Sequence, residues 1–213
     1  MSGSRERILA GLRRTLGRAD DPGRAGAVDR WLRETGRGPL PRIADDVPGA
    51  FAEKAQAAAA EVHRVRDDAR AVQMLLDATP VGAALVAAPD ERLRGLPWPA
   101  QRRPEMRKAG ASDPVCVSVA WAGIAETGSL VLLSGPDTPT GLGFLPDHLL
   151  CLLDCERILP HPEDVWARLR AELQTMPRGV NLLTGPSRTA DVEQTIQLGA
   201  HGPRRLSILL VGG

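Results

Sequence analysis

Six short apolar runs crowd the later part of this chain: GAALVAA (82–88), VCVSVAW (115–121), SLVLL (129–133), HLLCLL (148–153), GVNLL (179–183) and RLSILLV (205–211). None approaches the ~18 residues of a membrane span. All are too continuously apolar for a sheet with one wet face, where apolar and polar residues alternate. They read as strands buried on both faces. Helical candidates intervene at Pro162 to Leu173 and at Thr189 to about Leu198. Strands alternating with helices predict an α/β fold, a three-layer α/β/α sandwich. The interval from 115 to 153 has no room for a helix at every connection. Part of the sheet is therefore expected to be antiparallel or hairpin-like, which makes the sheet mixed.

Upstream of the strands, Ala55, Ala59, Val62, Ala69, Val72 and Leu76 recur at helical spacing and predict one helix from Ala50 to Ala78. His63 lies off that face and reads as a surface histidine. The first segment, SRERILAGLRRTLG, reads as a short amphipathic helix with Ser4 as N-cap and Gly17 as its stop. From Ala19 to Gly49 the punctuation is loop-like, with a small helical piece around Val28 to Arg33. The chain thus divides into an N-terminal helix and Pro/Gly-rich arm (1–49) and an α/β domain (50–213).

The 213 residues suit one good core, and 27 basic against 26 acidic residues give no global field for nucleic acid or an anionic membrane. An aromatic content of 3% also argues against a base-stacking platform. Three cysteines, Cys116, Cys151 and Cys155, make no disulfide framework and read as core residues. They form no C-x-x-C pair, so no cysteine-ligated iron–sulfur cluster is expected on this chain. The Arg-rich first residues lack the apolar stretch of a signal peptide, and the expectation is a cytoplasmic protein.

Four segments carry residues with chemistry. In GIAETGSLVLLSGP (123–136), Glu126 sits in a tight turn before a strand, Gly128 frees the backbone, and Thr127 and Ser129 add hydroxyls. A carboxylate held beside a buried strand suits a base, a nucleophile or a ligand anchor; a solvated turn residue is the plainer alternative. In TGPSRTADVEQ (184–194), Gly185, Ser187, Arg188 and Thr189 lead into the second helical candidate, where free N–H groups and Arg188 favour an anion. An ordinary capped helix explains the same residues. In GAHGP (199–203), His201 lies in a turn and is placed to exchange a proton near neutral pH. In FLPDHLL (144–150), His148 starts a strand, and neighbouring Asp147 points to the opposite face. His161 opens a helix, with Asp164 favourable at its N-terminus. No set of histidines and cysteines takes metal-ligand spacing.

The order of these segments resembles the lactate-utilisation protein C family, whose members carry the LUD domain. The motifs are Ile124 to Ser129, then Leu145, Pro146 and His148, then Gly185 to Asp191 with Glu193, and finally Gly199 with His201 to Pro203. The resemblance covers roughly residues 80–213. It implies a fold like that of the sugar-phosphate isomerases and CoA-transferases. It also implies a part in bacterial oxidation of L-lactate to pyruvate, with iron–sulfur clusters carried by partner subunits and no cofactor on this chain. Within that reading Glu126 and His201 are the candidate catalytic pair. Thr127, Gly128, Gly185, Ser187, Arg188, Thr189 and His148 are the candidate ligand-binding residues. Two alternatives stand beside it. One is a stand-alone enzyme acting on a CoA ester or phosphorylated small molecule, with Glu126 as nucleophile by analogy to CoA-transferases. The other is a structural or regulatory subunit.

Overall fold

The computed structural model describes residues 2–17, 22–34, 36–80, 82–110, 112–189 and 197–212. In chain order its helices are α1 (Ser2–Thr15), α2 (Pro22–Glu34), α3 (Val47–Ala57), α4 (Asp68–Asp77), α5 (Glu91–Arg94) and α6 (Pro162–Glu172). Its strands are β1 (Glu61–Val65), β2 (Val86–Ala87), β3 (Glu105–Met106), β4 (Val115–Val119), β5 (Ala122–Ile124), β6 (Ser129–Leu133), β7 (His148–Asp154), β8 (Ile158–Leu159), β9 (Val180–Leu183), β10 (Arg188–Thr189), β11 (Gln197–Leu198) and β12 (Arg205–Val211). The chain separates into two units, Met1–Leu40 and Pro41–Gly213.

The main sheet has the order β1-β12-β7-β4-β2-β3, parallel at every pairing. Its central strands β12 and β7 are the longest apolar runs, as strands covered on both faces should be. Side chains alternate between the two faces. Leu150, Leu152, Leu209 and Val211 pack with Ala71, Val72, Leu75 and Leu76 of α4 and with Leu93 of α5. Leu149, Cys151, Leu153, Ile208 and Leu210 pack on the other face with Phe51 and Ala55 of α3. That second face is shared with a four-stranded sheet, β8-β5-β6-β9, whose far side packs Val165 and Leu169 of α6. The fold is α/β, as the apolar runs predict. Its mixed character resides in the second sheet, where β5 pairs antiparallel with β6 and parallel with β8. This is how the chain accommodates the short interval between 115 and 153.

Four expectations are corrected. The single helix over 50–78 is two helices with a strand between them. Ala59 turns the chain with a left-handed φ of 67° after α3, and β1 then pairs with β12 from Glu61↔Ser207 to Val65↔Val211. The alanine-rich run has no breaker, so its helical periodicity continued on paper through a segment that pairing claims instead. The next helix starts afresh at Asp67, whose side chain accepts from the Arg70 N–H (2.8 Å). Second, the helix expected from Thr189 is absent at both described ends. β10 and β11 pair antiparallel, Arg188↔Leu198 and Thr189↔Gln197, and 190–196 lie outside the described residues. Third, α1 begins at Ser2, so Ser4 lies inside the helix and accepts from Arg7 Nη2 (3.3 Å). Fourth, the helical piece near Val28 is the thirteen-residue α2, with Pro22 at its first position, where a missing N–H costs nothing.

In the first unit, Ile8 and Leu12 of α1, Leu16 just after it, and Val28, Trp31 and Leu32 of α2 are exposed. Among the described residues no helix is long and apolar enough to cross a membrane.

Candidate functional site

The ETG turn is built by one short hairpin. β5 and β6 pair Ile124 with Ser129, and the Gly128 N–H closes the turn on the Ile124 carbonyl (2.9 Å). Gly128 has a φ of +67° and lies against α3, so a Cβ there would strike the backbone of Lys54 and Ala55. The turn is thereby pinned to a helix end and presents its side chains in two directions.

In one direction lies a row of hydroxyls. Thr127 Oγ1 is 2.6 Å from Ser129 Oγ, which is 2.6 Å from Thr184 Oγ1. Each hydroxyl can donate once and also accept, so the two bonds can run in either sense along the row. In the other direction, the His161 Nδ1–H donates to Glu126 Oε2 (2.8 Å). The donor assignment follows because a carboxylate only accepts. His161 is positioned by its own N–H, which donates to Asp164 Oδ2 (3.2 Å), and by the Glu126 N–H, which donates to the Pro160 carbonyl (3.0 Å). The contact with Glu126 occupies Nδ1 and leaves Nε2 as the ring's remaining polar atom, the geometry of a carboxylate-oriented histidine. Sequence reasoning gave His161 only a helix-opening role. Its partner is 35 residues away, and no local spacing announces the pair.

Thr184 leads into the second motif. Thr184, Gly185, Ser187 and Arg188 line one groove of about 480 Å³ with His201, over a floor that includes Ala58, Phe144 and Leu183. Ser187 knits the groove together. Its N–H donates to the Pro203 carbonyl (2.8 Å), its carbonyl accepts from the Gly199 N–H (3.1 Å), and its Oγ accepts from the His201 N–H (3.2 Å). Ser187 therefore caps the GAHGP turn, and the end of α3 meets the groove at Ala58. Gly185, at φ +71°, admits the carbonyl of Ala58 where a Cβ would collide. Among the described residues, Arg188 is the only formally charged residue lining the groove and no carboxylate does. This balance suits an anion.

The groove lies just beyond the carboxyl end of β9. β9 belongs to the second sheet, and the groove is flanked by Ala58 and Pro203, which precede β1 and β12. It is thus near the amino ends of the main strands.

Glu126, Thr127, Gly128 and His148 are not among the residues that line the groove. Glu126 is bound to His161 and is not paired with His201. His148 is buried at the start of β7, 7% exposed. The Ser207 Oγ–H donates to Glu61 Oε2 (2.8 Å), so Ser207 accepts from the His148 Nε2–H (2.8 Å). Arg205 forks onto the same Glu61 (2.8 and 3.0 Å). Burial, then the nearby Arg205 charge, lowers the His148 pKa, against a partly offsetting pull from Glu61. Burial alone would raise Glu61, but the hydrogen bonds from Ser207 and Arg205 outweigh it and hold the carboxyl low. Thr189 is a β10 residue opposite Gln197.

Cys116 and Cys151 are fully buried, and burial pushes both thiols up to about 12. Cys155 is partly buried and also raised. These are inert core thiols, not thiolate nucleophiles. Among the described residues no group of three or more His, Cys, Asp or Glu is gathered to hold a metal ion.

The α/β body thus brings two separated glycine turns, at Gly128 and Gly185, onto one end of α3. The sequence profile of the LUD domain matches residues 49–211, and the chain belongs to the LUD domain family. It is 39% identical over 94 residues to an uncharacterised protein of Neisseria meningitidis serogroup B, covering 44% of this chain and 40% of that protein. It is 29% identical over 117 residues to the lactate utilization protein C of Bacillus subtilis, covering 54% of this chain and 49% of that protein. The chain spans about half the length of these relatives. A crystal structure of a DUF162 family protein from Deinococcus radiodurans matches the fold with a TM-score of 0.57 at 19% identity, over 82% of this chain and 100% of that one.

Proposed function

We propose that this chain is a cytoplasmic component of bacterial L-lactate utilisation, the oxidation of L-lactate to pyruvate. It acts with iron–sulfur partner subunits and carries no cluster itself. Relatives from several bacteria bear the name lactate utilization protein C, which supports the pathway. The observation that carries the reading at the level of residues is the groove lined by Arg188, His201, Ser187 and Thr184 and, among the described residues, by no carboxylate. A 2-hydroxy or 2-oxo acid matches it. Arg188 pairs with the carboxylate, the hydroxyls of Ser187 and Thr184 orient the neighbouring oxygen, and His201 exchanges a proton. Oxidation of lactate releases two electrons and two protons; the electrons pass to the partner clusters.

Deleting the gene is expected to stop growth on L-lactate and leave growth on glucose intact. Complementation with Arg188→Gln is expected to fail or grow slowly. Calorimetry on the purified chain is expected to show pyruvate or L-lactate binding weakened about tenfold to a hundredfold by that substitution, the scale of one lost charged hydrogen-bonding partner. Normal lactate growth of the deletant overturns the pathway. Equal binding by wild type and Arg188→Gln overturns the groove.

A further inference from the structure

A second cavity, of about 350 Å³, opens at the other end of the main sheet. It is lined by Asp90, just beyond β2, by the residues that end β4, and by Asp154, the last residue of β7. This is where strand order reverses. From β2 the chain goes to β3 on one side, while β4 lies on the other side. Loops leaving neighbouring strands diverge at such a point and leave a crevice, which is where open parallel sheets bind ligands. The volume lies at the small end of the ligand-pocket range.

The lining decides the ligand. Arg92 is gripped by Asp68 through both terminal nitrogens (2.9 and 2.7 Å) and reaches Asp154 (3.3 Å). Three of its N–H groups are thus committed to carboxylates, out of the five a guanidinium carries. Arg157 donates to Glu172 (2.9 Å) and sits 6.0 Å from the centre of the Trp121 ring. Both cations already have carboxylate partners. The lining holds Asp90, Asp137 and Asp154 against Arg92 and Arg157, one negative charge in excess. A phosphate or carboxylate is repelled here, in contrast to the groove around Arg188. The carboxylates are not gathered for a metal ion either, among the described residues.

What the cavity offers is carboxylate acceptors beside fixed guanidinium donors, next to a tryptophan. Hydroxyl groups are the complement, since each donates to a carboxylate and accepts from an N–H. Two neighbouring hydroxyls on a ring use both at once, and the ring gives Trp121 an apolar partner.

We propose that this cavity binds a small uncharged ring compound through vicinal hydroxyls, the chemistry shared by a ribonucleoside and a free pentose. Its carboxylates accept hydrogen bonds from the hydroxyls, and Arg92, locked by Asp68 and Asp154, donates to the hydroxyl oxygens.

The test is calorimetry on the full chain with four probes: adenosine, D-ribose, 2′-deoxyadenosine and AMP. Saturable binding of adenosine alone assigns a nucleoside; binding of ribose assigns the sugar. 2′-Deoxyadenosine is expected to bind at least about tenfold more weakly than adenosine, because a donor to the cavity's charged acceptors is lost. AMP is expected to bind more weakly than adenosine. Asp154→Asn is expected to lower affinity at least about tenfold. Because Asp154 also braces Arg92, the exposed Asp137→Asn is the companion variant, and it too must weaken binding. The proposal is overturned if neither adenosine nor ribose binds at about 10 mM. It is also overturned if the deoxy compound or AMP binds as well as adenosine, or if both variants bind like wild type. Binding of lactate or pyruvate at the groove is a separate readout, so failure of one site leaves the other decided on its own.

Discussion

At the scale of single residues, the chain spends conformational strain where it turns into the site. Ala59 holds a φ of 67° without being glycine. The left-handed region costs a Cβ-bearing residue on the order of 1 kcal/mol. Ala59→Gly is therefore expected to raise stability by about 0.5–1 kcal/mol. A higher urea midpoint at unchanged slope is the check; a lower midpoint shows that the methyl group matters more than the strain. His148 carries a second prediction. Its folded pKa is lowered, while an unfolded histidine titrates near about 6.5. Between the two values the unfolded chain binds more protons, so stability rises with pH through that window. The contribution is complete above about pH 6.5 and is lost as pH falls toward the folded value. Glu61, also lowered, adds a further loss below about pH 4.3. His148→Gln is expected to be less stable at pH 8 yet to lose less on going to pH 5. An unchanged pH slope in that variant removes His148 as the cause.

At the scale of elements, what was legible depended on where the decisive contacts lie. The strands at 129–133 and 205–211 and the helix from Pro162 announce themselves within a few residues, through apolar continuity and a proline at a helix start. β1 does not. Its neighbours in sequence are helix formers, and its partner β12 lies about 146 residues away. The same separation hid the chemistry. The motifs around Glu126, Ser187 and His201 were visible as residue types in turns. That Ser187 and His201 share a groove, while Glu126 turns to His161, follows from tertiary approach alone. α3 mediates that approach. Its end meets Gly128 and Gly185, and Phe51, fully buried, packs beside Gly123. Phe51→Ala is expected to cost about 3–5 kcal/mol, the range for a buried aromatic truncated to alanine. It is also expected to weaken ligand binding at the groove. A loss below 1 kcal/mol in denaturant titration contradicts the central role given to α3.

At the scale of the whole molecule, one parallel sheet separates two concavities of opposite electrostatic character. Among the described residues the groove has Arg188 and no carboxylate, while the cavity beyond β2, β4 and β7 has an excess of carboxylate. Both belong to the unit Pro41–Gly213, so both predict binding that needs only this unit. Residues 36–44 make no helix or strand, and Arg37 and Arg42 within them are exposed. Extended, exposed backbone of this kind is what a protease accepts, whereas cleavage inside the paired strands first requires unfolding. Brief trypsin treatment of the full chain is therefore expected to leave one resistant fragment beginning at Gly38 or Ile43. That fragment is expected to unfold in one cooperative transition and to keep the calorimetric response of the full chain to pyruvate or L-lactate. Early cuts within β7 or β12, or a broad non-cooperative melt of the fragment, contradict the division. A fragment that melts cooperatively but no longer binds gives the first unit a part in ligand recognition that the groove alone does not supply.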